Sequence, residues 1–377
     1  MGPVGGGVAG ARALTFPLID ILRGFAALSV VVYHVIAHFE WTGFPIAFPL
    51  VWFRIGWIGV DLFFVISGFV IALSAFARLR SGGTVGFHRG FARARLARIV
   101  PLYYLTCLIF LAFIQPELWF TADIVPQLLT HALFVHSWFI DHQGAINGVN
   151  WSVAVEMQFY VLMLLIAPWL RRAHWAVILV GGVAVAWAWR AAVFYAISST
   201  GAQGVFPVFV YTTELPGMLD EFAMGILLAR FVISARGEAL LAWARRFVWV
   251  LPLVTTGVVW VAFQIYWWNA VYWDSAAMVI GFKSLMAIAC GMVLLSACAL
   301  GFAPVVRWTL PLRYLGTISF GIYLWHLPVI LSLHRLPWLT APRALPLVLG
   351  LTVLFASMSW HLFERPLMRR YGSTATG

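Results

Sequence analysis

Charge is scarce in this chain. Of 377 residues only 10% are Asp, Glu, Lys or Arg, 63% are hydrophobic, and the mean hydropathy is +0.94. That excludes an ordinary soluble domain and points to a polytopic, all-α integral membrane protein. Cysteine is equally scarce. Cys107, Cys290 and Cys298 all fall in apolar segments, so neither a disulfide framework nor a zinc site is expected. Acidic groups number 13 against 24 Lys and Arg, a formal charge of +11. In a soluble protein that excess would indicate nucleic acid. Here the basic residues are nearly all arginines in short loops between apolar runs. Membrane orientation accounts for most of them, and no nucleic-acid partner is expected. The first apolar run contains polar residues and has no small-residue cleavage site after it, so no secretory signal is expected.

Apolar runs divide the chain into about ten expected transmembrane helices. The first extends from Leu18 to Phe39, the second from Ile55 to Ala77, and the third from Ile99 to Gln115 with Pro101 in its first turn. The fourth runs from Trp151 to Leu170, the fifth from Trp175 to Ile197, and the sixth from Met218 to Ile233. The last four are Val248 to Trp267, Met278 to Leu300, Gly316 to Leu333, and Leu345 to Phe363. Leu128 to Ile140 is too short for a full crossing and is read as re-entrant or interfacial. The segment with Arg78, Arg80, Arg89, Arg93, Arg95 and Arg98 is the most basic loop and is therefore placed inside. Arg171, Arg172, Arg236, Arg245, Arg246, Arg307, Arg313, Arg365, Arg369 and Arg370 then fall inside as well, with both termini cytoplasmic. Trp41, Trp52, Trp119, Trp267, Trp268 and Trp273 gather at the opposite interface, as aromatic belts do. Residues 1–16 are expected to be a disordered tail, 17–370 the membrane domain, and 371–377 a short C-terminal tail.

One stretch organises the rest: Ile19 to His38, which carries Asp20, Arg23 and His34 in an otherwise apolar run. Ionisable groups inside a membrane are costly and tend to face a cavity or a partner. At 3.6 residues per turn Arg23 and His34 leave one face of a helix, roughly 16 Å apart along its axis. Either residue alone has a sufficient structural explanation. The aligned pair, with Asp20 beside it, favours a functional site.

Asp61, just inside the second span, needs a partner, which one of the arginines could supply; a structural ion pair suffices for it. Arg95 and Arg98 share a helix face, and guanidinium groups bind phosphate bidentately without losing charge. A phosphorylated ligand and a purely topogenic role are both open for this pair. Ser152, Glu156 and Tyr160 lie four apart on one face, and a buried Glu156 suits a general base or an anchor for a histidine. Ser319, Tyr323 and His326 make a second polar stripe, read as interhelical glue or a cavity wall. Asp220 and Glu221 open the sixth span, where a polar acceptor could meet them. Phosphate-binding arginines inside, a histidine at depth and carboxylates towards the outside suit transfer of a group from a cytosolic phosphorylated donor to an acceptor beyond it.

Taken in order, LRGFAALSVVVYH with its R-x10-H spacing, GVDLFFVISGF, RARLARIVPLYY, NWSVAVEMQFY, SFGIYLWH and FERP resemble the acyltransferase family 3 membrane proteins, the OafA-type O-acetyltransferases. The likeness runs from Ile19 to Pro366. It implies ten or more helices, an acyl-CoA donor on the cytoplasmic side and transfer to a hydroxyl of a surface glycan, exopolysaccharide, lipid-linked glycan or macrolide. Carried over by motif, Arg23 and His34 are the functional pair, Arg95 and Arg98 contact the donor phosphates, and Glu156 is a further functional position. Some members carry an SGNH-type hydrolase domain after the membrane domain. None is read here, which leaves a separate periplasmic partner or a simpler acceptor.

The expectation is thus an inner-membrane O-acyltransferase, an acetyltransferase using acetyl-CoA and no metal. Its catalytic residues would be His34, Arg23 and Glu156; Arg95, Arg98 and Arg23 would hold the donor; and Asp61, Ser152, Tyr160, Ser319, Tyr323 and His326 would line the cavity. His34 would act as general base or as a transient acyl carrier. The rival class is a transporter or flippase of a lipid-linked sugar or small anion. Against it, matching halves with paired Gly/Pro-broken segments are not found.

Overall fold

The computed structural model describes residues 16–199, 204–269, 271–301 and 308–372. The two expected tails, apart from Phe16, Tyr371 and Gly372, and the expected inner-loop Arg307 lie outside the described residues. Among the described residues the chain is helical, with no strand.

Helix α1 (Pro17–His38) starts on a proline, whose missing N–H falls where a helix leaves its N–H groups unpaired in any case. A 3-10 turn, Leu50–Ile58, leads into α2 (Gly59–Ile109). This helix runs on through the arginine-rich segment expected as a loop. Alanine and arginine are good helix formers, and their propensity prevails there. The one break is at Gly83, with φ 60°, a conformation that costs a residue without a Cβ little. It separates two membrane-length stretches, Leu50–Ser81 and Gly83–Ile114.

The expected short helix at 128–140 is α3 (Ile124–Ala132) followed by a 3-10 turn at His136–Trp138. Then come α4 (Asn150–Leu170), α5 (Trp175–Ser199) and α6 (Val205–Thr212). Next is α7 (Leu219–Val232), where the sixth span was expected. It has 14 residues, about 21 Å at 1.5 Å per residue, against the ~30 Å hydrocarbon core. The chain continues with α8 (Ala235–Arg246), α9 (Val250–Trp268) and α10 (Lys283–Leu300). It closes with α11 (Leu310–Thr317), α12 (Ser319–His334) and α13 (Ala341–Ser359). Among the described residues eight helices are long and apolar enough to cross a membrane, or nine if α11 and α12, bent by 68°, make one broken span. The ten-span expectation differs from this by the short α7.

Small residues set the packing, as expected where lipid tails are as apolar as leucine and only close approach favours helix over lipid. Gly68 of α2 sits against the carbonyl of Phe222, and Gly225 of α7 against that of Val65, with no room for a Cβ at either. The buried face of α1 likewise includes the small residues Gly24, Ala26, Ala27 and Ser29 beside Ile19 and four valines. That lets α2, α11, α12 and the 3-10 turn close around α1.

Candidate functional site

Of the cavities along α1, two are lined by charged side chains. The first, of about 120 Å³, is lined by Arg23, Arg95, Arg98, Glu156 and Tyr160 together with Ser67, Ser152, Ser319 and Tyr323. The second, of about 350 Å³, is lined by His34, Asp61, Lys283, Tyr323 and aromatic rings including Trp57 and Trp151. Val60 and Tyr323 line both.

Helix periodicity accounts for the arginine cavity. Arg95 and Arg98 are three residues apart on the second half of α2 and enter from one side. Arg23 enters from the first half of α1. Arg95 lies 5.4 Å from the ring centroid of Phe91 and 5.6 Å from that of Tyr160, so aromatic faces hold its guanidinium. Its Nε is buried without a hydrogen-bond partner among the described residues. Oε1 of Glu156 accepts from Ser67 Oγ and from Tyr160 OH, each at 2.7 Å. Neither the pair Arg95–Arg98 nor Arg23 is tied to a carboxylate by an ion pair among the described residues, whereas Asp20 lies 3.9 Å from Arg313. Three guanidinium groups thus face one small polar cavity.

In the aromatic cavity, Nδ1 of His34 lies 2.9 Å from the carbonyl of Val30 and 3.3 Å from Nε2 of His326. Nδ1 of His326 is 2.5 Å from the carbonyl of Tyr323. One tautomer assignment satisfies the whole chain. His326 donates from Nδ1 and accepts at Nε2, and His34 donates from Nδ1, which leaves Nε2 of His34 with its lone pair free. Backbone carbonyls of α1 and α12 and a second imidazole therefore fix the orientation of the His34 ring. Between the cavities, the hydroxyl of Tyr323 donates to the carbonyl of Val149 at 3.1 Å and lies 2.6 Å from Ser152 Oγ.

The expected site residues fall into these two groups. Arg23, Arg95, Arg98, Glu156, Tyr160, Ser152 and Ser319 come together, as do His34, Asp61 and His326 behind it, with Tyr323 common to both. Arg23 and His34 leave one side of α1 but line different cavities. Glu156 is bonded to Ser67 and Tyr160 and does not reach His34. Asp61 is partnered by Lys283, with Nζ donating to Oδ1 at 2.6 Å, and not by an arginine. Asp220 is fully engaged. Arg190 NH2 and Ser284 Oγ each donate to its Oδ2 at 2.5 Å, and Trp187 Nε1 donates to Ser284 Oγ at 2.8 Å.

Lys283 and Arg190 are the buried cations that sequence reasoning passed over. A signal for the first was available: Lys283 is the only lysine in the chain, and it interrupts an apolar run. Among the described residues no cluster of three or more His, Cys, Asp or Glu could hold a metal ion. The three cysteines are free and buried.

A family model described as an acyltransferase domain matches residues 16–361. YrhL of Bacillus subtilis (strain 168) is 27% identical across 93% of this chain and 54% of its own length. The peptidoglycan O-acetyltransferase OatA of Listeria monocytogenes serovar 1/2a is 23% identical across 94% of this chain and 56% of its own. The O-acetyltransferase OatA of Staphylococcus aureus (strain NCTC 8325 / PS 47) is 30% identical across 41% of this chain and 25% of its own. The chain thus spans about half the length of the first two of these relatives. No solved structure matches it. With a matching family model over nearly all of its length, and with the R-x10-H, R-x-x-R and GVDLFF segments gathered at two adjoining cavities, the chain belongs to acyltransferase family 3.

Proposed function

We propose that this protein is a membrane O-acetyltransferase that moves an acetyl group from acetyl-CoA to a hydroxyl of a cell-surface carbohydrate. The observation that carries the reading is the meeting of two unlike cavities on Tyr323, one holding three guanidinium groups and the other a histidine with a free ring nitrogen.

Arg95, Arg98 and Arg23 hold the anionic donor at the cytoplasmic side. Arginine suits this task because its fork matches phosphate geometry and stays charged. The thioester end of the donor reaches the wall made by Tyr323. The acceptor enters from the opposite side, through the aromatic cavity. Nε2 of His34 takes the proton of the acceptor hydroxyl as that oxygen attacks the thioester carbonyl carbon. The C–S bond breaks, the acetyl group passes to the acceptor oxygen, and the proton held on His34 is returned to the CoA thiolate. The imidazolium is stabilised meanwhile by Nδ1–H donation to Val30 and His326. Glu156 orders Ser67 and Tyr160 around the donor and does not act on the histidine.

A bacterial cell membrane, with the arginine cavity facing the cytoplasm, is the proposed setting. Membranes containing the protein, given labelled acetyl-CoA, should release free CoA and form an O-acetyl carbohydrate. His34→Ala should remove both products. Uptake or flipping of a sugar without CoA release would replace this reading with a transporter.

A further inference from the structure

The sole lysine of the chain does not sit in a loop. It opens α10 and is 5% exposed, with its Nζ 2.6 Å from Asp61 Oδ1 and 5.0 Å from the ring centroid of Trp57. The other 23 basic residues are arginines: 24 Lys and Arg less this one lysine. A buried ion pair that only joins helices would be packed among side chains. Here both partners line the aromatic cavity beside His34. Asp61 is the one hydrogen-bond partner of Nζ among the described residues, so an ammonium with three donors has two left. Glu221, fully buried on α7, is an electrostatic neighbour of Asp61 and Lys283, and neither of its carboxyl oxygens has a hydrogen-bond partner among the described residues. With Asp61 behind it, Lys283 is held by charge on one side and open to the cavity on the other.

The remaining walls are rings, with Trp57, Trp151, Trp273 and Phe209 among them. Aromatic faces next to a polar donor suit a ligand with C–H faces and hydroxyl edges, which is the chemistry of a sugar ring. A volume of about 350 Å³ is at the lower end of the range for small-ligand sites, roughly 300–1,000 Å³. It is large enough for one sugar ring.

We infer that Lys283 is the acceptor-recognition residue: its ammonium, oriented by Asp61, donates to a ring hydroxyl of a sugar stacked among these aromatic side chains, and so sets which hydroxyl reaches His34. The inference rests on the O-acetyltransferase reading and adds the residue that selects the acceptor.

The test uses the full-length protein in detergent, with acetyl-CoA as donor and two acceptor probes, a soluble chito-oligosaccharide and glycerol. The variants are Lys283→Met, the double variant Asp61→Asn with Lys283→Met, which removes both charges and leaves none unpaired, and Trp273→Ala, which keeps the ion pair. The acceptor KM for the oligosaccharide should rise about 10- to 100-fold in both Lys283 variants, the loss expected for one charge-assisted hydrogen bond. It should also rise in Trp273→Ala. The KM for acetyl-CoA, which binds in the arginine cavity, should stay within twofold. If Lys283→Met fails to fold, the double variant decides. An oligosaccharide KM within twofold of wild type in the double variant overturns the role of Lys283 and leaves the acetyltransferase reading standing. If the wild-type protein transfers acetyl groups to neither probe, both readings fall.

Discussion

Nε2 of His326 lies 3.3 Å from Nδ1 of His34, across a gap of 292 residues in sequence. This contact, together with the Val30 carbonyl at 2.9 Å, decides which nitrogen of His34 keeps its proton. His326→Phe keeps the ring volume and removes that constraint. kcat should fall about tenfold or more, while the KM for acetyl-CoA stays unchanged. His34→Ala removes the proposed base and should cost about 10² to 10⁴ in kcat. Steady-state rates of CoA release check both, and a His326→Phe variant with the wild-type rate would place the orientation of His34 elsewhere.

Arg95 lies against the rings of both Phe91 and Tyr160 with its Nε unpartnered. An ammonium lacks the planar fork, so Arg95→Lys should raise the KM for acetyl-CoA nearly as much as Arg95→Ala, on the order of tenfold or more. The acceptor KM should not move. Rescue by lysine would mean that the cavity needs only a positive charge.

Arg190 and Asp220, each about 1% exposed, join α5 to α7 and through Ser284 to α10. Replacing one member of a buried pair leaves the other charge alone, at a cost of about 3–5 kcal/mol. Arg190→Met should therefore lower the melting temperature in detergent markedly. Arg190→Met combined with Asp220→Leu should recover much of it. Equal melting temperatures for single variant and wild type would show that the pair contributes nothing to the fold.

Glu214 lies between α6 and the turn at Leu215–Met218, outside the spanning helices. Burial pushes its carboxyl up to about 8, and the Ser137 hydroxyl that donates to it at 3.1 Å only partly opposes that rise. The folded protein therefore keeps a proton that the unfolded chain has already lost near its ordinary value of 4.5. Its contribution favours folding at low pH and diminishes as pH rises from about 4.5 to about 8. Melting temperature should decline over that window, and Glu214→Gln should flatten the decline. An unchanged slope in that variant would locate the pH dependence in another group.

The sequence made the two polar sets legible because each is local. Arg95 with Arg98, Ser152 with Glu156 and Tyr160, and Ser319 with Tyr323 and His326 lie at helical spacing on single helices, and α1 shows its ionisable face directly. What it hid depends on contacts between distant segments. Lys283 meets Asp61 across 222 residues, and nothing near either residue announces the other. The split into two cavities was also hidden, because periodicity puts Arg23 and His34 on one face without saying that Tyr323 stands between their surroundings. The arginine-rich segment misled for a different reason: its charge pattern describes a loop, while its alanines and arginines favour the helix that forms.

The central claim is that donor and acceptor reach Tyr323 from opposite sides. Reconstitution into sealed vesicles of one orientation tests it, with labelled acetyl-CoA and a soluble oligosaccharide each supplied to one chosen face. O-acetyl sugar should form when acetyl-CoA is on the arginine-cavity face and the sugar on the other, and should be absent in the reverse arrangement. Equal product with both substrates confined to the same face would contradict the account.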